Sequence, residues 1–76
     1  MIDRPRYHIN VFFIPEDGCY IADVPDLRFC SAHGEGPEEA VHEIQVAIEL
    51  WLESAAGRGE PIPPAKYRPA IYGIPA

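Results

Sequence analysis

Basic residues and cysteine are scarce in this sequence, and long apolar runs are absent from it. Lysine and arginine number 6 against 12 aspartates and glutamates, which gives a formal net charge of −6. A chain this acidic is poorly suited to neutralising phosphates, so we expect no direct binding to nucleic acid. No apolar stretch approaches the roughly 20 residues that a membrane-spanning helix needs, so we expect no association with a membrane.

Cys19 and Cys30 are the two cysteines, and the residues before them contain no apolar leader segment. Few cysteines and the lack of a secretion signal are typical of a reducing compartment, so the sequence predicts a cytoplasmic protein with reduced thiols. Its length of 76 residues allows a single domain, 1–76. A domain this small buries only about 60% of its unfolded surface. Oligomerisation would help to stabilise it, and we expect a homo-oligomer.

Signatures of metal and nucleophile chemistry are also missing. His8, His33 and His42 have no cysteine, histidine or carboxylate at metal-ligand spacing, and neither CxxC nor HExxH occurs. No serine stands in a G-x-S-x-G context. The sequence therefore predicts no metal, no cofactor and no enzymatic activity.

The strongest local pattern is a helix over residues 37–56. Its apolar residues recur at intervals of three and four and share one side: Ala40, Ile44, Ala47, Ile48, Trp51, Leu52 and Ala55. Pro37 suits the first helical position, where its missing N–H would be unpaired in any case. Gly57 and Gly59 mark the end of the helix.

The opposite side of this helix is acidic, and no lysine or arginine occurs between Phe29 and Gly57. Two apolar residues are interleaved with glutamates there, and we define the outer stripe as Glu39, Glu43, Val46, Leu50 and Glu53. One interpretation is a solvated face with two isolated apolar side chains, which are common on protein surfaces. The other is a contact surface for a basic partner or for a second copy of the chain.

Before the helix, three segments have the aromatic and β-branched composition of strands: residues 7–14, 19–24 and 29–33. A turn with proline, aspartate and glycine at residues 15–18 joins the first two into a hairpin. Residues 66–71 are expected to add a short last strand at a sheet edge, because Pro69 cannot donate to a ladder. The order β-β-β-α-β predicts an α+β fold with one helix on one face of a mainly antiparallel sheet.

A single helix covers only one face of such a sheet. Side chains alternate along the first strand, so Phe12 and Ile14 lie on the face opposite to Val11 and Phe13. We expect Phe12 and Ile14 to be covered by the C-terminal tail or by a partner subunit. These two residues are the candidate oligomer interface.

Three aspartates surround the hairpin and the turn that follows it: Asp17, Asp23 and Asp26. Paired carboxylates can act as general acid and base, which would make this chain a small hydrolase. Asp17 and Asp26 also have a simpler explanation as ordinary turn residues. A third interpretation takes the three aspartates as a second acidic contact surface for a basic partner.

Several short motifs occur in a distinctive order between Tyr7 and Pro64. They are Ile14-Pro15 with Glu16-Asp17-Gly18, Val24-Pro25-Asp26-Leu27, Cys30-Ser31-Ala32-His33-Gly34, Pro37-Glu38-Glu39-Ala40 and Pro61-Ile62-Pro63-Pro64. In this order they resemble the N-terminal domain of HicB-like antitoxins from bacterial toxin–antitoxin pairs. The resemblance implies a partial ribonuclease-H-like fold without the catalytic carboxylates. It also implies binding to a small RNA-cleaving HicA-like toxin, whose active site the antitoxin blocks.

Two positions depart from the pattern of that family. Arg28 and Phe29 stand where the family often has Pro-Gly, and Gly36 stands where a threonine commonly caps the helix. Both are local changes in turns. Many family members also carry a C-terminal DNA-binding domain. Too little sequence follows Pro64 for such a domain, so we expect none here.

Charge agrees with the inhibitor role that the resemblance implies. A toxin that cleaves RNA must attract phosphate, and an acidic domain is suited to occupying its basic face. We therefore predict an antitoxin-like module that masks the active site of a small basic toxin, with the outer stripe as its contact surface. The alternative is a stand-alone oligomeric domain with no toxin partner, which binds itself or another protein.

Overall fold

The computed structural model describes residues 5–69 of the chain. Four elements follow one another: β1 (Asn10–Ile14), β2 (Cys19–Asp23), β3 (Ser31–Gly34) and α1 (Pro37–Gly57). The strands pair antiparallel in the order β1-β2-β3, and α1 packs on one face of the sheet. The predicted α+β class is confirmed, as is the order of three strands followed by one helix.

All three strands are shorter than the sequence pattern predicts, and β2 ends at Asp23 rather than at Val24. β1 begins at Asn10 rather than at Tyr7, and β3 begins at Ser31 rather than at Phe29. The backbone of Phe29 has a φ of 56°, a left-handed conformation that cannot continue a strand. The late start of β3 therefore has a local backbone cause.

No strand follows α1 within residues 58–69. The prolines of this segment provide no backbone donor. The N–H groups of Lys66 and Tyr67 donate to the Asp26 carboxylate instead of to a neighbouring strand. The predicted last strand, residues 66–71, is thus not formed over 66–69, and its final residues, Ala70 and Ile71, lie outside the described part of the chain.

The turn at residues 15–18 fixes the register of β1 against β2. The N–H groups of Asp17 and Gly18 both donate to the Ile14 carbonyl, at 3.2 and 2.9 Å. Gly18 has a φ of 63°, a left-handed conformation that glycine adopts readily and that closes this four-residue turn. Ile14 then pairs with Cys19, and the alternation of faces along both strands follows from that pair.

The core lies between α1 and the sheet. Its buried residues come from the helix face that the periodicity predicts and from β2 with the connection after it: Ala40, Ile44, Ile48, Ala22, Val24, Leu27 and Cys30. The helix approaches most closely at β3, where Gly34 is buried. A Cβ built on Gly34 would lie 2.6 Å from the Ala40 backbone nitrogen, so this position requires a residue without a side chain.

Gly34→Ala should destabilise the fold by about 3 kcal/mol, because the helix must move off the sheet to make room for the methyl group. Urea unfolding followed by tryptophan fluorescence measures the loss. Gly36→Ala is the matched control, since a Cβ there has no neighbour closer than 4.0 Å, and it should cost less than about 1 kcal/mol. Equal stability of the two variants would show that α1 is free to slide away from β3.

The connection between β2 and β3 is closed by its own hydrogen bonds. The Val24 N–H donates to the Cys30 carbonyl at 3.0 Å, and the Leu27 N–H donates to the Val24 carbonyl at 3.1 Å. From α1, the indole N–H of Trp51 donates to the Arg28 carbonyl at 2.9 Å. This fixed loop presents the ring of Phe29 to solvent with 97% exposure.

Phe29→Gly should stabilise the fold by about 1 kcal/mol. A left-handed backbone costs a residue with a side chain roughly 1–2 kcal/mol, and the exposed ring contributes almost no packing that glycine would lose. Chemical denaturation of the two proteins measures the difference. Arg28→Gly is the control. Its backbone has no left-handed φ to relieve, so the added chain entropy should lower stability. A Phe29→Gly protein less stable than the wild type would contradict a strained loop.

Candidate functional site

The structure places the outer stripe on the side of α1 that faces away from the sheet. Its two apolar members are well exposed, Val46 by 44% and Leu50 by 61%, and Glu43 and Glu53 are exposed beside them. On the other side of the helix Ile44 is fully buried. The helix thus brings the predicted residues onto one surface, and their role in binding a partner stays a prediction.

Glu39 differs from the other carboxylates of the outer stripe. Its Oε1 accepts a hydrogen bond from the Glu35 backbone N–H at 2.7 Å, just before the helix begins. The negative charge of Glu39 therefore lies at the N-terminal end of α1, where the helix dipole stabilises it. Glu39 has this structural role in addition to any role in binding.

Cations of the described chain do not neutralise this surface. Within residues 5–69 the one ion pair joins Arg58 to Glu60, with the charged atoms 3.0 Å apart. Hydrogen bonding between them raises the pKa of Arg58 and lowers the pKa of Glu60. The glutamates of the outer stripe take no part in that pair. The outer side of α1 is therefore an uncompensated anionic surface with an apolar centre.

A shallow depression adjoins this surface. Its volume is ≈ 230 Å³, and it is lined by His42, Gln45, Val46 and Glu49. Because Val46 belongs both to the depression and to the outer stripe, the two form one continuous region of the helix surface. A partner side chain that enters this depression would therefore have Val46 and Glu49 among its neighbours.

β2 separates the three predicted aspartates. Asp17 is exposed in the β1–β2 turn, whereas Asp23 ends β2 and Asp26 follows in the next connection. From Cys19 to Asp23 the strand rises roughly 13 Å, so Asp17 lies at the opposite end of the sheet from the other two. The three carboxylates do not form one cluster, and this arrangement supports neither the hydrolase interpretation nor a single second acidic surface.

Asp26 holds the C-terminal segment against the rest of the domain. Its Oδ2 accepts hydrogen bonds from the backbone N–H groups of Lys66 and Tyr67, each at 3.0 Å. The ring of Tyr67 in turn lies 4.8 Å from the ring of His8, centroid to centroid. The sequence predicts Asp26 as a turn residue, a candidate acid–base carboxylate or part of an acidic contact surface, and none of these is an anchor. Its partners come 40 and 41 positions later, and no local pattern indicates them.

A basic cleft opens beside this anchor, between the lead-in to β1 and the C-terminal segment. Its volume is ≈ 310 Å³, and Arg6, His8 and Arg68 are among the residues that line it. On the same lead-in, the Tyr7 hydroxyl donates to the Pro63 carbonyl at 2.7 Å. The cationic side chains of this cleft lie on a different part of the molecule from the outer stripe.

Asp26→Ala should release the C-terminal segment, because two backbone N–H groups lose a charged acceptor. Trypsin cleavage after Lys66 should become faster by at least about tenfold, since the loss of even one such bond corresponds to that factor. Cleavage after Arg58 in the same sample provides the internal reference. Asp17→Ala, at an exposed position in the β1–β2 turn, is the control and should leave both rates unchanged. An unchanged rate after Lys66 in Asp26→Ala would show that other contacts hold the segment.

The thiols are placed apart from each other. Cys30 is buried, and burial raises the pKa of its thiol, which makes it a poor nucleophile. Cys19 is half-buried at the start of β2. Within residues 5–69, no group of His, Cys, Asp and Glu side chains is suited to holding a metal ion. No helix in that range has the length and apolar character needed to cross a bilayer.

The candidate oligomer residues lie on the sheet face opposite to α1. Val11 pairs with Ala22 of the core, so the alternation along β1 puts Phe12 and Ile14 on the other face. Phe12 is 45% exposed and Ile14 is half-buried. Up to Pro69, the C-terminal tail therefore leaves Phe12 uncovered. The role of both residues in an oligomer stays a prediction.

Comparison with known proteins finds relatives by sequence, whereas no family model and no solved structure matches the chain. A UPF0150 protein of Synechocystis sp. is 36% identical over 58 residues, which cover 76% of this chain and 78% of that protein. A second UPF0150 protein of the same organism is 43% identical over 58 residues, which cover 75% of this chain and 73% of the relative. A UPF0150 protein of Thermoplasma acidophilum is 40% identical over 48 residues, which cover 63% and 70% of the two chains.

Proposed function

The chain belongs to the UPF0150 family, and we propose that it is an antitoxin-like module that binds a small basic RNA-cleaving toxin of the HicA type and masks its active site. The order of its motifs, which resembles HicB-like antitoxins, suggests this function. The proposal includes action in the cytoplasm, where such a toxin meets RNA. It also includes action by binding alone, without enzymatic activity or a cofactor.

The observation that carries the proposal is the outer side of α1. Val46 and Leu50 form an exposed apolar centre there, and Glu43 and Glu53 lie beside it. These carboxylates have no lysine or arginine partner within residues 5–69. A protein that cleaves RNA presents a cationic surface to the phosphates, and an anionic surface of this kind is complementary to it.

The two kinds of side chain would contribute to binding in different ways. Charge complementarity speeds the encounter and selects the partner, and added salt weakens its effect. Apolar contacts at the centre of an interface usually supply most of the lasting affinity. We therefore expect Leu50 to govern mainly the dissociation rate, and Glu43 and Glu53 to govern mainly the association rate.

Inhibition by occupancy requires no reacting group on this chain. In agreement with that, the Cys30 thiol is buried with a raised pKa, and two backbone N–H groups engage the Asp26 carboxylate. Such a domain would act by excluding the RNA substrate from the surface that it covers.

The partner to test is any small basic protein that is encoded beside this one. The purified pair should form a complex, and RNA cleavage by the partner should stop as the complex forms. Val46→Lys should raise the dissociation constant by at least about tenfold, which corresponds to about 1.4 kcal/mol. Ile62→Lys is the matched control. Ile62 has the same 44% exposure as Val46 but lies outside α1, so this variant should bind like the wild type.

Equal affinities of Val46→Lys, Leu50→Lys and Ile62→Lys would place the contact away from the outer stripe.

The competing function is a stand-alone oligomeric domain that binds itself or another protein. Exposure of three consecutive apolar residues on β1, Val11, Phe12 and Phe13, favours it. The lack of a basic RNA-cleaving neighbour, or RNA cleavage that continues in the presence of this chain, would decide for that competing function.

A further inference from the structure

Strand β1 lies at the edge of the sheet and leaves apolar side chains uncovered. The order β1-β2-β3 gives β1 one neighbouring strand, and nothing in residues 5–69 pairs with its other side. Val11, Phe12 and Phe13 are 37%, 45% and 48% exposed. The cause is the position of α1, which packs over β3 and β2 and contacts β1 least.

These exposed side chains point to both faces of the sheet. Val11 and Phe13 lie on the α1 side, because Val11 pairs with Ala22 of the core, and Phe12 lies on the opposite side. A partner stacked on either face would cover only one of the two sets. A strand added beside β1 extends both faces at once and covers all three residues.

β1 also lacks the features that protect natural edge strands. Its sequence, NVFFI, contains neither a charged residue nor a proline. The strand at the other edge, β3, is short and carries Ser31 and His33, and its Gly34 lies against α1. Pairing between molecules is therefore favoured at β1.

We propose that β1 pairs antiparallel with β1 of a second copy of this chain, so that one sheet continues through both copies. The β1–β2 turn indicates the register. The Ile14 carbonyl accepts a hydrogen bond from the Gly18 N–H, so the backbone groups of Ile14 face β2. Alternation along an antiparallel strand then turns the backbone groups of Phe12 to β2, and those of Val11 and Phe13 to the free edge.

This register is self-complementary. Val11 of one copy exchanges both backbone hydrogen bonds with Phe13 of the other, around a two-fold axis at Phe12. Phe12 then meets Phe12 of the second copy on one face, and Val11 meets Phe13 of the second copy on the other. Cross-strand pairs of aromatic and β-branched residues are among the pairs that stabilise sheets.

Charges at the two ends of β1 are complementary in the same arrangement. Antiparallel pairing places the β1–β2 turn of one copy beside the start of β1 in the second copy. Glu16 and Asp17 are exposed in that turn, and Arg6 of the second copy precedes its β1. The basic cleft of the second copy, lined by Arg6, His8 and Arg68, lies at that end. The net charge of the chain is −6. The glutamates of the outer stripe contribute to it, but they face away from the sheet and therefore do not repel one another across this interface.

The inference does not rest on toxin binding, because β1 and the outer stripe are separate surfaces. Sedimentation equilibrium of the full chain tests it. The wild type should dimerise reversibly in the micromolar range, and added salt should weaken the dimer. Arg6→Glu and Glu16→Arg should each weaken dimerisation by on the order of tenfold. The double variant should recover it, because exchanging the two charges restores an opposite pair.

Glu49→Arg is the control for net charge. It makes the same change in charge as Glu16→Arg but lies on the outer side of α1, so it should dimerise at least as well as the wild type. Circular dichroism of each variant confirms that it is folded. A wild type that stays monomeric throughout the micromolar range would overturn the proposal, and so would a double variant as weak as the single ones.

Amide hydrogen exchange on the full chain tests whether a second copy or the chain's own residues 70–76 occupy this edge. The Val11 and Phe13 amides should become protected as the protein concentration rises. Protection that is the same at every concentration would assign the edge to residues 70–76, and the lack of protection at any concentration would leave the edge unpaired. Either result would overturn pairing between two copies.

Discussion

The close approach of α1 to β3 at Gly34 determines most of this architecture. Because Gly34 has no side chain, the first turn of the helix packs its backbone against the strand, and Ala40 is completely buried there. The helix therefore lies over β3 and β2, and β1 receives little cover. The same placement turns the outer stripe to solvent. This backbone contact thus sets where the helix lies on the sheet and which strand is left open.

Local periodicity accounts for what the sequence predicts well. The helix begins at Pro37 as expected and ends at Gly57, one residue beyond the predicted range. It can be predicted because the apolar residues that face the core recur with the period of the helix. The alternation of faces along β1 and the turn at residues 15–18 also depend only on near neighbours. The position of the outer stripe follows from the helical period, whereas the identity of a partner does not.

Contacts between residues far apart in the chain account for what the sequence does not predict. Asp26 has the local pattern of a turn residue, yet its carboxylate accepts hydrogen bonds from the backbone of Lys66 and Tyr67, which also explains why no strand forms there. Phe29 is of a residue type that is common in strands. Its left-handed backbone depends on the closed loop around it, which the carbonyl of Arg28 joins to Trp51. Neither arrangement has a signal in the neighbouring sequence.

The basic cleft has a topological consequence for the described part of the chain. Arg6 and Pro69 both line it, so the first and last described stretches of polypeptide meet at one corner of the molecule, where Asp26 holds the second of them. Within residues 5–69 the backbone path is therefore almost a closed ring, and a short linker would join Arg6 to Pro69. A circularly permuted form of these described residues, opened in the β1–β2 turn, would keep every buried residue of the core in its place.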